Sequence, residues 1–150
     1  GAPTLSVTGL GHLEGMTVDV IADTGSGAAY IGTNVVSSGC IVLREAAIMV
    51  EVGLHYNSKV TTMRPAVQNS VIEGLQRSWD KLFVRLLDSV GGHINNEPIE
   101  YPGDFALYTG DMAVTGQGWN TEGRITVEQR LPYPFTLLAL FGTLSVADND

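Results

Sequence analysis

Cysteine is nearly absent. Cys40 stands alone, which excludes an internal disulfide and a multi-cysteine metal site, and fits folding in a reducing cytosol with the thiol as a small buried side chain. Positive charge is scarce as well: eight Lys and Arg stand against sixteen Asp and Glu, a net charge of −8. Such a chain has no broad attraction for phosphate backbones, so tight nucleic-acid binding is not expected. Apolar runs are short. The longest, "FTLLALFG" at 135–142, falls far below the ~20 residues of a membrane-spanning helix, and a soluble chain is expected. The opening "GAPTLSVTGL" carries neither a basic leader nor an apolar signal core, so no secretion signal is read there. A first residue other than Met points to a piece of something longer.

Glycine, by contrast, is plentiful, with 18 in 150 residues. The length suits one domain over 1–150, large enough to bury a core. The glycines are spread between short apolar-polar alternations, the pattern of strands joined by tight turns. "TLSV" at 4–7 reads as a first strand. In "MTVDVIAD" at 16–23, Met16, Val18, Val20 and Ala22 alternate with Thr17, Asp19 and Asp23, which is a half-buried strand. "AYIGTNVV", "GCIVLRE", "AIMVEVGL" and "SKVTTMRP" continue as successive antiparallel strands, the last stopped by Pro65. After Gly91-Gly92 come "HINNEPIEY", "DFALYTGD", "GRITVEQRL" and "FTLLALFGTLSV". Short strands every ten residues or so, with no regular helices between them, predict a mainly β chain: an antiparallel sandwich or barrel-like domain.

One segment resists. In "VIEGLQRSWDKLFVRLLDSV" at 71–90 the apolar residues recur every three or four positions, as in an amphipathic helix. Yet "KLFVRLLDS" has the length and apolar density of a buried strand, and Gly74 weakens a helix by about 1 kcal/mol.

Reactive chemistry is thin. "VTGLGHLEGMTVDVIAD" at 7–23 sets Gly9, Gly11 and Gly15 after an apolar segment, like a dinucleotide-binding loop. The third glycine is one residue late for G-x-G-x-x-G, a strand rather than a helix follows, and Glu14 would repel a phosphate. Gly9 to Gly15 is therefore expected to join two extended segments, with Gly11→Ala disturbing folding or assembly rather than catalysis. His12, His55 and His93 lack the spacing of a metal pair, and "TGSGA" is a turn rather than a nucleophile elbow. Glu97, Glu100, Asp104 and Asp111 fall near turns without forming an EF-hand loop, and are read as solvated charge ahead of Ca²⁺ binding or glycoside hydrolysis. Arg77, Lys81 and Arg85 bracket Trp79 and Phe83 as a short basic stripe, more in keeping with a salt-bridged face than with a nucleic-acid patch. No catalytic residue, cofactor site, metal site or small-molecule substrate is assigned, and an enzyme is not expected. Trp119 and Tyr133 are candidate interface anchors beside a core-packing alternative.

The ordered pieces "GLGHLEGMTVDVIAD", "VEVGLHYNSKVTTM", "VRLLDSVGG", "LYTGD" and "GWNTEGRITVEQRLPYPFTLLALFGTLSV" cover most of the chain. In that order the series resembles the C-terminal region of tail nozzle proteins of short-tailed bacteriophages, also called tail tubular protein B, and of related packaged-DNA stabilisation proteins. His55 stands where proline is common in that family's "VGLPY" element, a departure expected to loosen the turn. The resemblance implies a mostly β virion protein forming a hexameric tube below portal and adaptor, which retains the genome and conducts DNA during ejection. This chain would be its C-terminal part. Implied partners are further copies of itself, the tail adaptor, tail fibre or tip proteins, and passing viral DNA held without sequence specificity; the implied location is the virion tail, assembled in the host cytoplasm. An acidic lumen would let DNA pass without adhering, with Asp19, Asp23, Glu97, Glu100 and Asp104 as candidates to line it. Trp119, Tyr133 and Phe135 are the candidate interface residues of such a ring. The resemblance also tips 81–89 towards strand, with a short helix or turn over about 67–79 and a full helical stripe as the alternative. A carbohydrate- or receptor-binding β-sandwich is the second reading, prompted by Tyr101, Tyr108, Trp119 and Tyr133 in loops rich in acids and amides.

Overall fold

The computed structural model describes residues 2–66, 74–102, 107–114 and 117–147. Among these residues it is mainly β, with twelve strands in several antiparallel sheets and no closed barrel, consistent with a sandwich-like fold. The chain clusters into two compact units, Gly1–Tyr56 and Asn57–Asp150; one domain over 1–150 had been the expectation.

In the first unit, β1 (Thr4–Thr8), β2 (Thr17–Asp23), β3 (Ala28–Val35), β4 (Cys40–Ala47) and β5 (Met49–Leu54) occupy the segments that the alternation predicts. Their pairing is less simple than a succession of neighbours. β4 crosses to β1, while β2 takes the centre of a second sheet ordered β3-β2-β5. Val18, Val20 and Ala22 of β2 meet Ile41, Leu43 and Ala47 of β4 in one core with Val36. Burial of each such aliphatic side chain is worth about 1.5–3 kcal/mol against exposure. The period of two in "TVDVIAD" thus becomes a face. Cys40, expected to be buried, is half-buried, its Sγ 3.2 Å from the Ser37 carbonyl oxygen.

The second unit holds β6 (Ser58–Thr61), β7 (Arg77–Ser89), β8 (His93–Ile94), β9 (Glu97–Pro98), β10 (Tyr108–Val114), β11 (Thr126–Gln129) and β12 (Thr136–Val146). One sheet runs β10-β7-β12 and the other β6-β11-β8-β9. Between them lies a core of Leu82, Val84, Leu86, Ile94, Ile125 and Val127, with Trp79, Phe135, Leu137 and Leu140 packed against it. The ambiguous segment is therefore a strand from Arg77 onward, and its helical spacing misleads. Residues 77–79, assigned to the short helix or turn, are extended, while 67–73 lie outside the described residues. Strand alternation buries Leu82, Val84 and Leu86, whereas Phe83 and Leu87 belong to the opposite face. Two apolar faces, not one helical stripe, produced the three-and-four pattern.

Close approaches fix the second sheet. A Cβ on Gly142 would lie 2.0 Å from the carbonyl oxygen of Lys81, so β12 can lie against β7 there only without a side chain. The Gly91-Gly92 turn is held by Gln129, whose buried amide donates to the Val90 carbonyl at 2.9 Å and accepts from the Arg130 amide at 3.1 Å. A Cβ on Gly92, at φ +89°, would meet the Phe135 ring at 2.4 Å.

Candidate interaction surfaces

The segment "GWNTEGR" forms a clamped loop in the second unit. Arg77, the residue that opens β7, exchanges both main-chain hydrogen bonds with Asn120, at 2.8 and 2.9 Å. Its guanidinium is 0% exposed and donates to the Pro65 carbonyl oxygen at 3.0 Å. Asn120 turns its side chain inward, where Oδ1 accepts from the amides of Glu122 and Gly123 in an Asx-type turn. Trp79 Nε1 donates to the Gly123 carbonyl at 2.8 Å. Glu122 receives Arg64 and Arg124, and these bonds, that from Arg124 first, hold its carboxyl below the usual glutamate range. Fixed at both ends, the loop leaves Trp119 54% exposed. An aromatic ring held outward on a rigid turn loses little conformational freedom when a partner covers it, the property that makes tryptophan a frequent interface anchor.

The other two candidate interface residues lie on a different turn. Tyr133 is half-buried, and its carbonyl oxygen accepts from Gln129 Nε2 at 3.3 Å. Phe135 packs on the second core against Gly92. Of the three, Trp119 presents the most free surface.

A second exposed surface is the outer face of β10-β7-β12. The Phe83 and Phe141 rings stack with centroids 5.6 Å apart and planes at 15°. Arg85 lies over Phe141 at 5.4 Å and forks onto Asp111 with bonds of 2.6 and 2.8 Å. That fork holds the Asp111 carboxyl below the usual aspartate range and raises Arg85. Phe141 itself is exposed, as are Leu87 on β7 and Leu138 on β12. The basic stripe does not form a free patch, since Arg77 is buried and Arg85 is engaged with Asp111.

The first unit carries a polar cluster that no spacing in the sequence reveals. Asp19 sits on the face of β2 opposite the core, yet is only 4% exposed. Its Oδ1 accepts from the Tyr30 hydroxyl at 2.9 Å, and His55 Nδ1 lies 3.0 Å from Oδ2. Gly53 stands across β2 from Asp19, so no side chain occupies the space between the carboxylate and His55. Through this contact His55 ties the end of β5 to β2. Asp19 is removed as a channel-lining acid. Asp23 spends its Oδ1 on the amides of Gly25 and Gly27, at 2.8 and 3.1 Å. Glu97 and Glu100 remain exposed, and Asp104 lies outside the described residues.

No protein-family model matches the chain, and no curated protein matches it either. Among the described residues no group of three or more His, Cys, Asp or Glu is placed to hold a metal ion, and no helix is long and apolar enough to cross a membrane.

Proposed function

We propose that this chain is a noncatalytic structural module of a bacteriophage short-tail nozzle. In that role it forms part of a homo-oligomeric, six-membered tube that retains the packaged genome and conducts DNA during ejection. The observation that carries the reading is the ordered motif series, and its pieces coincide with parts that build the fold. "GLGHLEGMTVDVIAD" supplies the β1–β2 turn and β2, "VRLLDSVGG" the end of β7 and its Gly-Gly turn, and the closing piece β11, β12 and the clamped tryptophan loop. A net charge of −8 supports passage of DNA without adhesion. The chain then sits in the virion tail after assembly in the host cytoplasm, beside the tail adaptor and the tail fibre or tip proteins, and has no substrate. Mass spectrometry of purified virions tests this directly. The chain, or a longer protein containing it, is expected in the particle at a fixed multiple per tail, and its absence from the particle would sink the proposal.

The exposed, rigidly mounted Trp119 favours a second reading, a carbohydrate- or receptor-binding module of a phage tail. Glycan-array binding that disappears in Trp119→Ala would select it over the tube.

A further inference from the structure

β12 has the features of an edge that another strand covers. It pairs with β7 on one side only among the described residues. Its eleven residues, "TLLALFGTLSV", carry no charge. Exposed edges in monomers are usually blunted by lysine, proline or brevity, because their free N–H and C=O groups template further pairing. β3 is also a charge-free edge, but it is shorter and is interrupted at Gly32, with φ +111°. At the far end of the same sheet as β12, β10 is the other open edge among the described residues. Beside its Met112–Val114 opens a cleft of about 540 Å³, lined also by Ile94 and Ile99 with Glu97 and Glu100.

We propose that the occupant of the β12 edge is a second copy of this chain: β12 of one copy adds to β10 of the next, so that the sheet continues from subunit to subunit. Two observations favour a copy over an unrelated partner. Both complementary edges belong to one sheet, and both run antiparallel to β7, so the joint repeats head to tail with every copy in the same orientation. That is the heterologous interface a closed ring requires. β12 also carries no charge, and the one acid of β10, Asp111, is already forked by Arg85, so these two edges of successive copies meet without opposed like charges despite the net −8 of each copy. A seven-residue ladder is about 23 Å long at ~3.3 Å per residue and by its main chain alone falls short of the ~800 Å² per partner of a stable interface. Leu138 and Phe141, 55% and 40% exposed, and the cleft beside β10, with Ile94, Ile99 and Met112 on its walls beside Glu97 and Glu100, supply additional contact. The inference rests on the tube reading for ring closure, and not for the strand joint itself.

Site-directed crosslinking separates the outcomes. In a Cys40→Ser background, Ala113→Cys on β10 and Leu138→Cys on β12 are both exposed positions. With a short bismaleimide, a mixture of the two variants is expected to give covalent dimers containing one of each, while neither variant alone crosslinks. Dimers from Leu138→Cys alone would mean a twofold β12–β12 contact and would overturn the proposal, as would no dimers in the mixture. In parallel, Leu138→Lys is expected to reduce the light-scattering mass to that of one chain with an unchanged far-UV CD spectrum; an unchanged oligomeric mass would also overturn it. A joint found in a chain absent from virions would leave the contact standing and remove the nozzle, and the reverse result would remove the joint alone.

Discussion

Replacing Asp19 by alanine tests whether the first unit is held by its outer polar cluster as well as by its core. Asp19 accepts from Tyr30 at 2.9 Å and pairs with His55 at 3.0 Å while 4% exposed. Hydrogen bonds to a charged group contribute about 1.5–3 kcal/mol each, but two effects reduce the loss. The His55 side chain is 39% exposed and regains water, and deleting the carboxylate also removes the cost of burying a charge, which can reach several kcal/mol. A net loss of about 2 kcal/mol follows from those opposing effects. With a urea dependence of about 1–2 kcal/mol/M for so small a unit, the midpoint falls by about 1–2 M. The distinguishing measurement is a double-mutant cycle. Tyr30→Phe and His55→Ala each cost about 1 kcal/mol with Asp19 present and clearly less in the Asp19→Ala background, because both bond to the same carboxylate. An Asp19→Ala loss under about 0.5 kcal/mol, the scale of an ordinary surface change, would refute the reasoning. So would a Tyr30→Phe cost that is the same in both backgrounds.

Gly142→Ala drives a methyl group into the Lys81 carbonyl oxygen and is expected to destabilise the second unit by about 1–3 kcal/mol or more in urea titrations, the range for overpacking. Burial pushes Tyr101 up to about 12, so the neutral phenol is favoured in the folded state. Its contribution is complete below the unfolded value near 10 and is lost as pH rises towards 12; absorbance at 295 nm should show one late-ionising tyrosine that Tyr101→Phe abolishes. Asp111, Glu122 and Glu128 are all held below their ordinary values by arginine partners. Their contributions are therefore present above the unfolded carboxylate range and are lost as pH falls through the lower folded values, and the acid limb of the stability curve should flatten in high salt. Gly15→Ala, at φ +75°, is expected to cost about 1–2 kcal/mol, the scale of a left-handed backbone for an L-residue, whereas Gly11→Ala is expected to leave the urea midpoint unchanged.

The strands were legible because alternation is a local property. Val18, Val20 and Ala22 mark a face without any knowledge of what covers it, and the prolines and glycines mark where each run stops. Pairing was not legible to the same degree. Nothing in "GCIVLRE" says that β4 bypasses β3 for β1, since that choice depends on which sheet faces complete a common core. The region around 71–90 shows the cost of reading one periodicity at a time: a strand with apolar residues on both faces imitates a helix, and only a neighbour on each side distinguishes them. Polar residues with long-range partners were least legible. Asp19 looked like solvent-facing charge because it alternates with the core residues, and His55 looked like a lapse from proline. Their partnership exists only in the register that sets Gly53 opposite Asp19, 34 residues later in the chain by their numbering. Arg77 likewise looked like one end of a basic stripe, yet it is a buried clamp for the tryptophan loop.

The turn after β1 shows how a local motif can be dismissed for good reasons and still hold a physical surprise. Glu14 had been counted as a repulsive charge against any phosphate. In the fold its two carboxylate oxygens accept from the amides of Ser38 and Gly39, at 2.8 and 2.7 Å. Those amides lie at consecutive left-handed residues, φ 55° and 67°, the kind of concave arrangement that binds anions. The loop therefore does contain an anion site, and the chain fills it with its own carboxylate. Gly9 and Gly15, at φ +88° and +75°, give the backbone the bends that bring Glu14 there. Gly11, whose replacement by alanine is expected from the sequence to disturb folding or assembly, has open space around its absent Cβ and opens the short 3₁₀ turn Gly11–Leu13 without a left-handed φ. The resemblance to a phosphate loop thus came from the requirements of a turn that closes on itself, and an exogenous phosphate would have to displace Glu14 to bind.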